Sequence, residues 1–113
     1  MKFPFALVLV LSLCCLPALE AAVYKGQKAY VKKCRKCHGG GQKMAASKRM
    51  KDWNKLLNKK NKGSGLSELH LGDEKAKASW KYFDSKAYRK SAKHLRDFMV
   101  EYADDSGNVP ACN

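Results

Sequence analysis

Residues 34 to 38 read Cys-Arg-Lys-Cys-His, and no other five residues restrict the chain so much. Two cysteines three apart fall on one helical turn, side by side on one face. The adjacent histidine then points toward whatever the sulfurs hold. Three chemistries use such a pair. Both thiols can add to the vinyl groups of a porphyrin, with the histidine on its iron. They can form a redox dithiol on a thioredoxin-like fold. They can supply half of a zinc site. The dithiol expects a strand before the motif and a βαβ pattern around it, whereas the residues before Cys34 have helical spacing. Zinc expects a second ligand pair at suitable spacing, and the chain offers none.

The start of the chain has the layout of a secretory leader. Lys2 is followed by an almost wholly apolar run from Phe3 to Leu16, and then by Leu-Pro-Ala-Leu-Glu-Ala-Ala at 16–22. The run is shorter than the roughly 20 residues that cross a bilayer comfortably. Cleavage is expected after Ala21 or Ala22, giving a leader at 1–21 and one domain at 22–113. An uncleaved membrane anchor is one alternative. A lipoprotein anchor on Cys14 or Cys15 is another, although Leu13 before Cys14 is not a small residue.

Cleavage would leave three cysteines, Cys34, Cys37 and Cys112, and an odd number in an exported protein needs a reason. A cofactor that consumes Cys34 and Cys37 leaves only Cys112 over. Leader and motif together predict one covalently attached haem c, bound through Cys34 and Cys37, with His38 as the metal ligand. A chain of 113 residues builds little core of its own, and small domains generally need a staple. A buried haem would be one. A leader in a eukaryote leads to the endoplasmic reticulum, where c-type haem is not attached. The combination therefore implies a bacterial periplasm.

Periodicity predicts helices throughout. Val23, Gly26, Gln27, Tyr30 and Cys34 suggest a helix over about 23–36, leading into the motif. Gly39, Gly40 and Gly41 then break it and let the backbone pass close to a flat ligand. Met50, Trp53, Leu56 and Leu57 suggest a second helix near 50–60. Asn61 to Gly65 reads as a break. Ala76, Trp80 and Phe83 place a third helix within 73–83. The clearest helix is the last, with Tyr88, Ser91, Ala92, Leu95, Phe98, Met99 and Tyr102 on one face. Ser85 would cap it and Gly107 would stop it. No stretch alternates like a strand, so the expectation is an all-α bundle of about four helices around one haem.

At this point the chain resembles the class I cytochrome c family, the small single-haem electron carriers. The resemblance rests on the haem motif, on Gly26 and Tyr30 ahead of it, and on the Leu95-x-x-Phe98 pair in the last helix. It implies that the first and last helices cross closely, with Gly26 and Tyr30 packed against Leu95 and Phe98. Two features depart from the family. No proline lies between His38 and Pro110, so another carbonyl must orient the imidazole. The methionine that the family places before the last helix is missing, since positions 51–98 hold none.

The sixth iron ligand is therefore open. His70 lies in the expected region. Met44 and Met50 follow the motif too closely, and Met99 reads as core packing. His94 sits in the helix expected to contact the first helix. Cys112 would need the tail to fold back. The iron is expected either to have His38 and His70 as its two axial ligands or to lack a strong distal ligand.

The formal charge of +13 comes from 23 Lys and Arg against 10 Asp and Glu. Basic runs occur at 32–36, 48–51 and 59–62. Such charge steers association with acidic redox proteins or membrane-bound redox enzymes. It also suits peripheral contact with an anionic membrane. No nucleic-acid motif accompanies it. The resemblance implies a monomeric electron carrier rather than an enzyme. The alternatives are a haem protein with an open distal site that binds small ligands, and the haem subunit of a larger complex.

Overall fold

The computed structural model describes residues 17–108, with side chains described from residue 20. Most of the expected leader, Cys14, Cys15, Pro110 and Cys112 lie outside the described residues. The described residues are all-helical, and no strand occurs among them. In chain order the helices are α1 (Pro17–Lys33), α2 (Arg35–His38), α3 (Gly41–Ala45), α4 (Met50–Leu56), α5 (Ser64–Leu71), a 3-10 helix (Glu74–Ser79), α6 (Trp80–Phe83) and α7 (Lys86–Glu101).

Helices α1 and α7 form the frame. Gly26 lets them cross: a Cβ there would collide with the His94 carbonyl oxygen and sit 2.7 Å from Phe98 Cβ. Tyr30 meets Phe98 one turn later, with ring centroids 6.0 Å apart. The close crossing expected at Gly26 and Tyr30 is thus present. The buried face of α7 is Tyr88, Ala92, Leu95, Phe98 and Met99, the stripe that its periodicity predicts. The Ser85 side chain accepts a hydrogen bond from the Tyr88 backbone N–H, as an N-cap should. Trp53 and Leu57 fill the core from the α4 side, and the Trp53 indole N–H donates to the Ala45 carbonyl at 2.8 Å.

Several boundaries differ from the periodic reading, each for a local reason. Helix α7 ends at Glu101, well before Gly107. There the chain turns back onto the segment before α4. Asp104 N–H donates to the Lys48 carbonyl at 2.9 Å, and the Asp105 carboxylate accepts from Met50 N–H at 2.8 Å. Helix α4 ends at Leu56 rather than near 60. The Asn58 side chain accepts from Lys60 N–H at 2.8 Å, a local bond that competes with helix continuation.

The expected break at 61–65 stops at Gly63, and α5 begins at Ser64. Gly63 has φ +73°, and a Cβ there would stand 2.6 Å from the Tyr88 hydroxyl. Of the three glycines after the motif, Gly41 is already helical and buried against the Phe98 ring. The close approach at Gly41 is to the protein's own aromatic core. The segment 73–83 is two pieces, a 3-10 helix and α6. Asp73 caps the first by accepting from Lys75 N–H at 2.9 Å.

Candidate cofactor cavity

The motif sits where α1 gives way to α2. Cys34 N–H still bonds the Tyr30 carbonyl at 2.7 Å, and His38 N–H bonds the Cys34 carbonyl at 3.0 Å. The chain therefore stays nearly helical through the motif, and Cys34, Cys37 and His38 face the same space. Gly39 ends the turn with φ +78°, a conformation that favours glycine. The Tyr30 hydroxyl donates to the Gly39 carbonyl at 2.8 Å and ties that turn to the core. Burial pushes the Tyr30 phenol up to about 12, so it remains a donor at neutral pH.

Cys34, Cys37 and His38 line a cavity of about 430 Å³. The opposite wall comes from α5, the 3-10 helix and α6: Leu69, His70, Ala76, Ala78, Ser79 and Phe83. Lys33, Asp73 and Lys75 complete it. Leu69 is 60% exposed, a large apolar side chain left uncovered at this wall. Sulfurs and imidazoles on a largely apolar lining suit a flat apolar ligand with a metal centre.

His70 is held more firmly than its sequence surroundings suggest. With its proton on Nδ1, the ring donates to the Leu66 carbonyl, 2.9 Å away and one helical turn earlier. That leaves Nε2 as the lone-pair nitrogen, the tautomer that a metal ligand needs. One face of the ring stacks on Phe83 at 4.0 Å and 21°. The Trp80 indole N–H donates to the His70 carbonyl at 2.7 Å and fixes the end of α5. Across the cavity, the His38 and His70 rings lie 6.0 Å apart between centroids, with planes 81° apart. Two imidazoles on opposite sides of one ion, at about 2 Å per bond, have ring centres roughly 6 Å apart.

The other candidates for the distal position among the described residues are elsewhere. Met99 is buried in the core at 4% exposure, and Met44 packs against that core. Met50 is exposed near the turn that Asp105 pins. His94 lies at the α1–α7 crossing. None of these four lines the cavity.

Cys34 does not have the lowered pKa of a dithiol nucleophile. Burial, reinforced by the neighbouring Cys37, pushes Cys34 up to about 11. Redox-active pairs instead have a depressed thiol pKa. No group of three or more His, Cys, Asp and Glu among the described residues is arranged to hold a metal ion by itself. Zinc takes four protein ligands, whereas a porphyrin brings its own equatorial set and asks for axial ones only. The donor set present, two sulfurs and two neighbouring imidazoles on one cavity, fits haem better than a bare ion.

Sequence reasoning had no hold on Leu66, Trp80 and Phe83 as supports of His70. The Leu66 contact follows from helix spacing only once α5 is known. The Phe83 stack joins residues thirteen apart across two turns. Comparison of the chain with known protein families, curated proteins and solved structures gave no match.

Proposed function

We propose that this chain is a monohaem c-type cytochrome, similar to class I, that carries single electrons between redox partners in a bacterial periplasm. The reading is carried by one observation. The His38 and His70 rings stand 6.0 Å apart, edge to face, in a cavity whose wall holds both cysteines of the motif. Cys34 and Cys37 would hold the porphyrin by thioethers, and His38 would take the proximal position. His70 would take the distal one.

When bound, haem supplies a one-electron couple. The chain's own residues do the rest. Leu66 and Phe83 hold the His70 ring in one tautomer and one orientation. Leu69, Ala76, Ala78 and Phe83 would cover apolar ring surface and keep water from it. With two imidazoles and no methionine on the iron, the potential should lie below that of a His/Met carrier. Lys33 and Lys75 at the cavity, with Arg35 and Lys36 on α2, give its surroundings positive charge that would steer acidic partners toward it.

The apolar stretch at 3–16 supports export. No helix among the described residues is long and apolar enough to cross a membrane. The direct test is His70→Ala in protein matured by a host that attaches c-type haem. The haem should remain covalently bound while its iron turns from low-spin to high-spin. An unchanged spectrum in both redox states would remove His70 from the iron. A methionine-to-iron charge-transfer band in the unaltered protein would do the same.

A further inference from the structure

A second cavity, of about 740 Å³, lies between the turn at 59–62 and the first half of α7. It shares no lining residue with the first. Its walls are Lys59, Lys62, Lys86, Arg89, Lys90 and Lys93, with His94 at one end. No carboxylate among the described residues lines it. Arg96–Asp97 is the one ion pair among the described residues, and it involves none of these cations. Arg89 has only a long bond to the Asp84 carbonyl, at 3.4 Å. His94 Nδ1 is buried and has no hydrogen-bond partner. Burial first, and then Lys25 and Lys93, hold its pKa below the ordinary histidine value.

A lysine stripe on a helix usually only solvates it. Lys86, Arg89, Lys90 and Lys93 follow the i, i+3, i+4, i+7 spacing of such a stripe. Here the stripe is one side of a concavity. The other side is a turn folded over it, and the turn is fixed. The Tyr88 hydroxyl donates to the Gly63 carbonyl at 2.6 Å. Lys62 itself has φ +53°, in the left-handed region that a lysine rarely adopts. The fold thus brings two unpaired, exposed cations to the same cleft as four others, with no counter-charge among the described residues, an arrangement that an anion would neutralise.

We infer that this cleft binds an anion with several adjacent phosphate groups. The concave shape favours phosphates over carboxylates. A linear oligophosphate carries a charge on each successive unit and enters a cavity, whereas an acidic protein face presents one carboxylate per side chain and reaches only the rim. No aromatic side chain among the described residues lines the cleft, so none of them would stack a nucleobase there. Recognition is of the phosphate chain itself, and inorganic tripolyphosphate is the simplest probe.

The test is calorimetric titration of the full chain with tripolyphosphate. The Lys62→Ala/Lys90→Ala/Lys93→Ala variant removes three cations from the cleft. Lys28→Ala/Lys32→Ala/Lys77→Ala removes three exposed ones outside it. The cleft variant should lose on the order of tenfold in affinity, and the control should lose far less. ATP should bind no tighter than tripolyphosphate. Equal losses in both variants would overturn the inference, because net charge alone would explain binding. So would a cleft variant that keeps tripolyphosphate binding but loses binding to a polyglutamate peptide. Sedimentation with vesicles carrying a phosphomonoester lipid separates the sources. Cleft-dependent co-sedimentation that tripolyphosphate abolishes assigns the phosphates to a headgroup, and its absence assigns them to a free anion.

Discussion

The two cavities of this molecule use opposite materials. One is lined by two thiols, two imidazoles and apolar side chains, with Lys33, Asp73, Lys75 and Ser79 among them, and its His70 is oriented by a hydrogen bond and a stack. The other is lined by six cations and a histidine, and those cations have no acidic partner among the described residues. In the first, selectivity would come from geometry at one pair of rings. In the second, it would come from charge density, with no ring to read a shape. Substitutions in the two places should therefore separate cleanly, and they can be ranked.

The largest effect is expected from Cys34→Ser/Cys37→Ser. It should abolish covalent haem, and the chain should lose the staple that a small core needs. Mass spectrometry of the mature protein reads the first effect and thermal unfolding reads the second. Tripolyphosphate binding should survive in whatever fraction folds, which keeps the cavities distinct. Next in size is Gly26→Ala, which forces a methyl against the His94 carbonyl at the helix crossing. Overpacking of this kind costs about 1–3 kcal/mol. A drop in melting temperature of several degrees should follow, and an unshifted melt would mean that α1 and α7 cross more loosely.

A smaller effect concerns pH. The folded pKa of His94 lies below its unfolded value, so the folded state binds fewer protons than the unfolded one between the two. Stability should be fully present above the unfolded value of about 6.5 and fall as the pH drops below it. His94→Gln should flatten that dependence between pH 7 and 5. A slope unchanged in the variant would assign it to other groups. The smallest effect is expected from Lys62→Gly. It relieves a left-handed lysine but frees the unfolded chain, and the two roughly cancel, to within about 1 kcal/mol. Its signature should instead be weaker tripolyphosphate binding with an unchanged haem spectrum.

The parts of this fold that were legible in the sequence are those specified locally. Helix α7 has an apolar stripe and a serine at its start, so its face and cap follow from spacing. The motif is read in the same way, because Cys34, Cys37 and His38 sit within one helical turn. Helix α5 was not legible. It begins with Ser64 and Gly65, which look like a break, and two of its leucines, Leu69 and Leu71, are exposed. Its apolar side therefore does not match a protein core. The end of α7 at Glu101 depends on bonds from Asp104 and Asp105 to a segment more than fifty residues away. The cationic cleft was half visible, as the basic run at 59–62. That Lys86 to Lys93 faces it is a fact of tertiary structure alone.

The central claim is one haem held by Cys34 and Cys37 between His38 and His70. The measurement that tests it most directly is the redox-dependent absorption spectrum of the protein, purified from a bacterium that matures c-type cytochromes, before and after acid–acetone extraction. The account predicts a haem spectrum that stays with the polypeptide through extraction and is low-spin in both redox states. A colourless protein, or colour that leaves with the solvent, would contradict it.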